Sequence, residues 1–343
     1  MKQNSALIRS NPSLVTHNFS HIYVEEGAKN FPETHRVLKK FPNATTISID
    51  DYRSAFNRHS QRFQAQKKST KLVLAVKKHP LIYSGSPYAP NFGAANFYYN
   101  AVILNCIYNC DYCYLQGMYT SGNIVIFVNH VHFFEAANKI ILEKGSIYLC
   151  ISYDTDLLAI ESIFPNCRQW IEWAETHRGA VIEIRTKSAN FRAISDLPPP
   201  KNTILAWTLS PQSIVSIYEK KTPPLTSRLR SIKEALNAGW KVRICFDPLL
   251  RVNNWKEIYQ EMLREIFSTI QADKVFDFSL GVFRMNSEYL ERIRKEQKDA
   301  PILYYPFAKQ NQLYTYSNPE NLEMISFVKN CIETYDPNTR IFI

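Results

Sequence analysis

Three cysteines in one short segment carry the clearest chemical signal in this chain. Cys106, Cys110 and Cys113 are separated by three and then by two residues, a C-x3-C-x2-C spacing. Closely spaced thiolates favour an iron-sulfur cluster, and a 4Fe-4S cubane is usually held by four of them. A loop that offers three leaves one iron open to a ligand that is not protein. We therefore predict that these cysteines are metal ligands to a 4Fe-4S cluster with one vacant corner.

A structural zinc site and a group of unrelated buried thiols are the alternatives. A structural zinc site needs four protein ligands, commonly arranged as two pairs. The other cysteines of this chain occur singly: Cys150, Cys167, Cys245 and Cys331. His130 and His132 could complete a zinc site, but they stand at the start of a predicted helix. The spacing therefore favours the cluster.

Length and composition indicate one large globular domain, alone or with a smaller appendage. The chain has 343 residues, of which 45% are hydrophobic and 21% are charged. It shows no run of 18 apolar residues and no signal-peptide core after Met1, so neither membrane insertion nor secretion is expected. The odd number of cysteines, seven, suits a reducing compartment. We expect a cytoplasmic protein without a membrane partner.

Strand-like and helix-like segments alternate through the middle of the chain. The predicted strands are 100–104, 146–152, 180–185, 203–208, 241–246 and 275–280, and helices are predicted at 131–143, 161–176, 227–238 and 255–267. This alternation predicts an α/β fold with a parallel sheet curved into a partial (β/α)6 barrel of the TIM type. A doubly wound open sheet gives the same alternation, but no glycine-rich fingerprint follows a strand.

The elements that must position the cysteines divide the chain into three predicted parts. Residues 1–95 form a basic cap and connector, 96–285 form the barrel, and 286–343 form a C-terminal extension. Functional residues of such barrels gather at the carboxyl ends of the strands. The cysteine loop follows the first predicted strand, and residues 152–156, 185–187 and 208–210 and Asp247 follow others. We therefore expect these segments to meet at one site.

Positive charge is concentrated upstream of the cysteines. The chain has a formal net charge of +10, and residues 29–78 hold twelve Lys or Arg against three Asp or Glu. Aromatic residues are interleaved with these cations at Tyr52, Phe56 and Phe63. Such a stretch is typical of a contact with a nucleic-acid backbone, although a solvated helix face has the same composition.

The residues after the third cysteine make a more specific resemblance possible. The run Cys110-Asp111-Tyr112-Cys113-Tyr114-Leu115-Gln116 resembles the cluster loop of the spore photoproduct lyases, which are radical S-adenosylmethionine enzymes. Similarity continues at 126–129, 156–161, 185–187, 228–241 and 248–255, and more faintly near 283–284. The resemblance implies a 4Fe-4S cluster and S-adenosylmethionine as cofactors. It also implies a 5'-deoxyadenosyl radical that acts on a thymine dimer in DNA.

The same resemblance implies roles for individual residues. Tyr112 and Tyr114 match tyrosines that help to return a hydrogen atom to S-adenosylmethionine, and Lys187 matches a lysine that contacts this cofactor. Further cofactor-binding residues are expected at strand ends, namely Thr155, Thr208, Ser210 and Asp247. The segment 309–316 falls where the family has a basic aromatic hairpin that wedges into the duplex, and it is less basic here.

One departure from the family pattern concerns the hydrogen donor. The family has Cys-Thr-Ser-Asp after the second strand, and that cysteine donates hydrogen to the product radical. Here Tyr153, Asp154 and Thr155 occupy the first three positions, and Cys150 lies three residues earlier. Residues three apart in a strand face opposite sides, so Cys150 does not simply replace the residue at 153. Tyr153 and Cys150 are both candidate catalytic residues.

Our leading hypothesis is a DNA-repair lyase of the spore photoproduct lyase type that receives an electron from a reductant such as flavodoxin or ferredoxin. A damaged pair leaves the base stack more easily than an intact one, which would help the lesion to reach the site. The missing Cys-Thr-Ser-Asp motif supports an alternative, a radical enzyme that acts on RNA, a peptide or a small molecule. A third hypothesis is a non-catalytic nucleic-acid-binding protein with a structural metal site.

Overall fold

The structure, a computed structural model, describes residues 18–86 and 90–343. The first 17 residues of the predicted cap, and residues 87–89 of the predicted connector, lie outside this range. The strands are β1 His21–Glu25, β2 Thr45–Ile49, β3 Leu72–Ala75, β4 Ile82–Ser84, β5 Phe97–Asn100, β6 Ile103–Leu104, β7 Asn109–Cys110, β8 Ile124–Phe127, β9 Ile147–Cys150, β10 Ala180–Thr186, β11 Thr203–Thr208, β12 Glu219–Lys220, β13 Lys241–Leu249, β14 Asp277–Val282, β15 Arg284–Asn286, β16 Ala308–Gln310, β17 Leu313–Thr315 and β18 Ile341–Phe342.

Twelve α-helices connect and cover these strands within the described ranges. They are α1 Pro32–Lys40, α2 Tyr52–Phe56, α3 Phe63–Lys68, α4 Leu115–Met118, α5 His130–Lys144, α6 Leu157–Ile160, α7 Asn166–Thr176, α8 Gln212–Tyr218, α9 Leu225–Asn237, α10 Trp255–Thr269, α11 Ser287–Glu296 and α12 Asn318–Glu333. No helix in this part of the chain is long and apolar enough to cross a membrane.

The largest sheet has eight strands in the order β18-β14-β13-β11-β10-β9-β5-β4 and curls into a half barrel. From β5 to β18 all neighbouring strands are parallel, and only β4 runs antiparallel to its neighbour. The central strands are mostly buried, and all six residues of β11 are buried. Helices on one face and the half-barrel interior on the other remove both faces from water, which explains these continuous apolar runs.

The predicted α/β half barrel is therefore confirmed, and its helices fall close to their predicted positions. The helix predicted at 131–143 is α5, that at 227–238 is α9 and that at 255–267 is α10. α5 is capped at its C-terminus by Gly145, whose φ of 79° is the left-handed conformation that favours glycine. Of the helix predicted at 161–176, residues 166–176 are helical as α7, and residues 161–165 separate α7 from the short helix α6 that precedes them.

A second sheet was not predicted from the sequence. Its order is β2-β1-β3-β8-β6, so that three strands of the N-terminal region join two strands that flank the cysteine loop. The predicted strand 100–104 was wrong as one element: β5 belongs to the half barrel, whereas β6 pairs antiparallel with β8 in this second sheet. The N-terminal region is thus a parallel β/α unit that packs beside the barrel.

A three-stranded antiparallel sheet in the order β15-β17-β16 begins at the end of the predicted barrel part and continues into the predicted C-terminal extension. The β16–β17 hairpin turns at Asn311, which has a positive φ of 55°. This hairpin lies where the sequence predicts the aromatic hairpin, and its tip, Lys309 to Gln312, is exposed. β18 then returns to the half barrel and pairs with β14.

Candidate active site

A cavity of about 400 Å³ opens at the carboxyl ends of the half-barrel strands. Its wall includes the three loop cysteines and residues at or just after the carboxyl ends of β9, β10, β11, β13 and β14. The size is ordinary for a pocket that holds a small-molecule cofactor. The structure therefore gathers the predicted segments at one edge of the sheet, as parallel topology requires.

The cysteine loop is fixed at its entrance by Asn105. This residue has a positive φ of 73°, which asparagine tolerates better than most side chains. Its buried amide donates to the carbonyl oxygens of Ser121 and Asn123 at 2.6 and 2.9 Å. The side chains of Lys67 and Gln116 bind the carbonyl oxygens of Cys106 and Cys110. Side chains from outside the loop thus bind its backbone carbonyl oxygens, and the three thiols form part of the cavity wall.

The loop also joins the barrel through a short strand pair. β7 pairs antiparallel with β12, with Cys110 opposite Glu219 and Asn109 opposite Lys220. Lys220 in turn binds the carboxylate of Asp111 at 2.7 Å. A two-residue ladder is weak by itself, so these side-chain contacts must supply much of the attachment.

The surroundings of the three thiols disfavour free thiolates and suit thiolates that are bound to a metal cluster. Burial raises the pKa of each thiol, that of Cys106 to about 12. Thiolates here therefore need a bound cation, and metal binding is the usual source. Among the residues with described positions, no group of three His, Cys, Asp or Glu side chains is arranged to hold a single metal ion. A cubane places each cysteine on a different iron, so its ligands need not converge on one point.

Tyr112 lies against a buried ion pair that the sequence analysis did not identify. Its hydroxyl donates to the carboxylate of Glu219, which also pairs with Arg228. Ser210 donates to the same carboxylate at 2.8 Å. Burial raises the pKa of Glu219, but the Arg228 charge outweighs it and the net pKa is about 2. Ser210 is buried outside the cavity wall, so the structure does not bring this predicted cofactor ligand to the site.

Tyr114 is tied to the loop that follows β9. Its hydroxyl donates to the carbonyl oxygen of Tyr153 at 2.8 Å and to Asp154 Oδ1 at 3.1 Å. Tyr119 donates to Asp154 Oδ2 at 2.9 Å. Tyr114 and Tyr153 both line the cavity, as Thr155 does. Burial raises the pKa of Asp154, and the two phenols satisfy both of its oxygens.

The Lys187 ammonium is available to an anionic ligand. Asp156 positions the segment: it accepts from the Lys187 backbone N–H at 2.6 Å and from Thr186 Oγ1 at 2.7 Å. Asp156 also caps α6 by accepting from the Ala159 N–H at 3.0 Å. The Lys187 Nζ lies 5.8 Å from the centroid of the Tyr112 ring, and it makes no hydrogen bond within 18–86 or 90–343. Lys187 and Thr208 both line the cavity.

The carboxylate of Asp247 belongs to a network of ion pairs and is not left open to accept a hydrogen bond from a cofactor. Arg284 binds its Oδ1 at 2.9 Å, and Arg185 lies 3.5 Å from its Oδ2. Burial opposes its charge, but these two guanidinium groups lower its pKa below the ordinary value. A Cβ at Gly281 would lie 2.6 Å from Asp247 Oδ1, so the glycine is needed for this packing. Arg185 and Arg284 line the cavity, and the sequence analysis did not assign them a role.

Cys150 and Tyr153 both line the cavity, contrary to the expected alternation. The reason is that β9 ends at Cys150, so the chain between the two residues is not a strand. Cys150 Sγ lies 3.8 Å from Glu183 Oε1 and donates to it. The Tyr153 ring instead stacks on Tyr99, with centroids 4.3 Å apart.

The half barrel and its cysteine loop define a radical S-adenosylmethionine type of protein. The sequence model of the spore photoproduct lyase family matches residues 18–342, and the chain belongs to this family. The spore photoproduct lyase of Clostridium acetobutylicum is 22% identical over 345 residues, which cover 92% of this chain and 96% of the relative. That of a Geobacillus species is 20% identical, with 93% and 96% covered.

Solved structures of spore photoproduct lyase share the fold. A mutant of that enzyme with one cysteine changed to alanine superposes with a TM-score of 0.82 at 19% sequence identity, covering 95% of this chain and 99% of the other. A double mutant with bound AdoMet and dinucleoside spore photoproduct gives a TM-score of 0.81 at the same identity and coverage. The second sheet and the C-terminal sheet are therefore within the shared architecture.

Proposed function

We propose that this chain is a radical S-adenosylmethionine lyase that returns spore photoproduct in DNA to two thymines. The observation that carries the proposal is the meeting of Cys106, Cys110 and Cys113 with Lys187 and Tyr114 on the wall of one cavity, in a chain that matches the family from residue 18 to 342. The Geobacillus and Clostridium relatives bear the name of this activity.

The cluster and S-adenosylmethionine, when bound, supply a 5'-deoxyadenosyl radical that takes a hydrogen atom from the lesion. The three cysteines would hold the cluster and leave one iron open. Lys187, whose ammonium has no acceptor in the described chain, would pair with the cofactor carboxylate. The apolar part of the cavity wall would exclude water around the radical.

Charged groups on the cavity wall would orient the substrate. Arg185 and Arg284 line the cavity, and Asp247 accepts hydrogen bonds from both. Thymine carbonyl oxygens and the phosphodiester between two nucleotides are acceptors that such a pair can bind. An electron carrier such as flavodoxin or ferredoxin would deliver the electron.

A repair assay tests the proposal. Anaerobically reconstituted protein is incubated with dithionite, S-adenosylmethionine and duplex DNA that contains spore photoproduct, and the digested DNA is analysed for thymine monomers. The proposal predicts loss of the lesion with release of thymines. The matched control is Cys110→Ala, which removes a cluster ligand and should abolish both repair and cofactor cleavage.

A second candidate function is supported by Tyr153. A tyrosine at this place, instead of the cysteine that the family resemblance predicts, is compatible with a radical enzyme that acts on another substrate. The same assay separates the two functions. Cleavage of S-adenosylmethionine without release of thymine would favour the second function, and release of thymine would exclude it.

A further inference from the structure

Tyr153 differs from Tyr112 and Tyr114, two other tyrosines on the cavity wall, in its hydroxyl group. The hydroxyls of Tyr112, Tyr114 and Tyr119 each donate to a carboxylate or carbonyl oxygen. The Tyr153 hydroxyl has no hydrogen-bond partner among the residues that the structure describes, and its ring lines the cavity. A hydrogen atom on this oxygen is therefore not already committed to an acceptor.

Tyr153 is also one end of a stack of aromatic rings. Its ring lies 4.3 Å from that of Tyr99 at an interplanar angle of 29°, and Tyr99 lies 5.2 Å from Tyr83 at 21°. These are offset-stacked geometries. The stack follows β5 and β4 away from the cavity, and Lys77 Nζ lies 5.7 Å from the Tyr83 centroid. The stack therefore fixes the orientation of the Tyr153 ring at the cavity.

The alternative hydrogen donor on the wall is Cys150, and its contacts make it less suitable. Its thiol donates to Glu183 at 3.8 Å, so the hydrogen points to a carboxylate and not to the cavity. Glu183 is itself held by Tyr148 at 2.7 Å and by Arg243. Moving the Cys150 hydrogen toward the substrate would therefore break a contact within a buried ionic network.

The geometry points to Tyr153 as the residue that donates the hydrogen atom that completes the methyl group of one of the two repaired thymines. This inference rests on the proposed function. When the bond between the two thymines breaks, an unpaired electron remains on the former bridging carbon. The Tyr153 O–H bond breaks homolytically and a C–H bond forms on that carbon, which becomes a methyl group. A phenoxyl radical is left on Tyr153.

The radical on Tyr153 must then regain a hydrogen atom. Tyr114 lies next to it, with ring centroids 6.4 Å apart and its hydroxyl 2.8 Å from the Tyr153 carbonyl oxygen. Tyr114 would give its hydroxyl hydrogen atom to Tyr153 and would take one from the 5'-methyl group of deoxyadenosine, which leaves the unpaired electron on deoxyadenosine, where the reaction began. The hydrogen first taken from the lesion thus replaces the one donated, and no external oxidant or reductant is consumed. Tyr99 acts as a positioning residue through its stacked ring.

Solvent deuterium tests this role because a phenol proton exchanges with water. The reconstituted enzyme is equilibrated in deuterium oxide and mixed with less lesion than enzyme, so that each molecule turns over once. We expect deuterium in the new methyl group of the thymine formed by the unaltered protein. Tyr153→Phe should lose this label while it still cleaves S-adenosylmethionine. Tyr98→Phe, the same change at the neighbour of Tyr99, should keep the label.

A second pair of variants separates hydrogen donation from folding. Tyr153→Cys and Tyr153→Ser differ by one atom, but only the thiol has a bond weak enough to give up a hydrogen atom. The cysteine variant should restore labelled thymine, and the serine variant should not, at equal iron content and equal melting temperature.

Several outcomes would overturn the inference. It fails if Tyr153→Phe or Tyr153→Ser forms labelled thymine as the unaltered protein does, or if Cys150→Ser loses the label while Tyr153→Phe keeps it. If the unaltered protein cleaves the cofactor but forms no thymine, the proposed function itself fails, and the two failures are thereby distinguished.

Discussion

At the scale of single residues, Glu219 organises one side of the site. Its side chain and that of Arg228 are both fully buried and form an ion pair. The same carboxylate accepts from Tyr112 and Ser210, and the Glu219 backbone pairs with that of Cys110. One carboxylate therefore sets the position of a cavity tyrosine and of the strand that carries Cys110, a proposed cluster ligand.

Replacing Glu219 with glutamine should destabilise the protein strongly. The substitution leaves the Arg228 guanidinium buried without a counter-charge, which typically costs about 3–5 kcal/mol. Denaturant unfolding should show this loss, and the iron content after reconstitution should fall because β12 no longer holds β7. The matched control is Glu333→Gln, which breaks an exposed pair with Lys329 at 3.6 Å and should cost about 0–1 kcal/mol. Equal losses in the two variants would contradict this account.

The candidate site residues on the cavity wall are easier to predict from the sequence than the residues that position them. The cysteines are found from their spacing, and Lys187, Thr155 and Thr208 from their places after strands, and all of them reach the cavity. Glu219 follows α8 in an unremarkable segment, so nothing in the sequence marks its contact with Tyr112, which lies 107 positions away. Asp247 reaches the cavity, but its pairing with Arg284 depends on a distance that only the folded chain shows.

At the scale of elements, the position of the cysteine loop depends on a close approach between two helices. α4, which directly follows the loop, packs on α11 at Gly117. A Cβ on Gly117 would lie 2.4 Å from Tyr289 Cβ and 2.5 Å from the Tyr289 backbone. Backbone atoms cannot rotate away, so only hydrogen fits at this position.

Gly117→Ala should therefore separate α4 from α11 and destabilise the protein. Overpacking of this kind costs about 1–3 kcal/mol, and the melting temperature should fall. Gly27→Ala is the matched control, because the added Cβ would meet only Val76 Cγ2 at 3.7 Å, an ordinary contact. A Gly117→Ala variant as stable as Gly27→Ala would show that the helices do not approach as described.

Element prediction succeeded where the periodic pattern was long and failed where strands were short. α5, α9 and α10 each have thirteen or fifteen residues, and a helical period is clear over that length. β6 has two residues and β5 has four, so the sequence joined parts of both into one strand. Their separation into different sheets is set by pairing with β8 and β9, which a local pattern does not reveal.

At the scale of the whole molecule, the basic N-terminal region divides into buried and exposed parts. Phe56, Phe63 and Lys67 are buried, so the interleaved aromatics expected to face nucleic acid belong to the core. Arg58 and Arg62 are exposed. They lie beside α3, whose Gln64 contacts Asn109 of the cluster loop at 2.9 Å. Positive charge therefore lies on the surface close to the cavity.

Charge reversal at these two arginines should weaken binding of duplex DNA. The double variant Arg58→Glu with Arg62→Glu removes two cations that would neutralise DNA phosphates and so release the counterions of the DNA. The slope of the logarithm of the binding constant against the logarithm of the salt concentration should become less steep by about 0.9 for each phosphate that is no longer neutralised. Fluorescence anisotropy across a salt series measures this slope. The control is Lys233→Glu with Lys274→Glu, two exposed lysines with the same total change in charge. Similar slopes for both double variants would place the DNA elsewhere.

The most direct measurement for the whole account is electron paramagnetic resonance of the reduced, reconstituted protein before and after addition of S-adenosylmethionine. Three cysteines leave one iron open, so the account predicts the signal of a reduced 4Fe-4S cluster and a clear change in that signal when the cofactor binds. A cluster signal that S-adenosylmethionine leaves unchanged, or a protein that contains zinc and no iron, would contradict it.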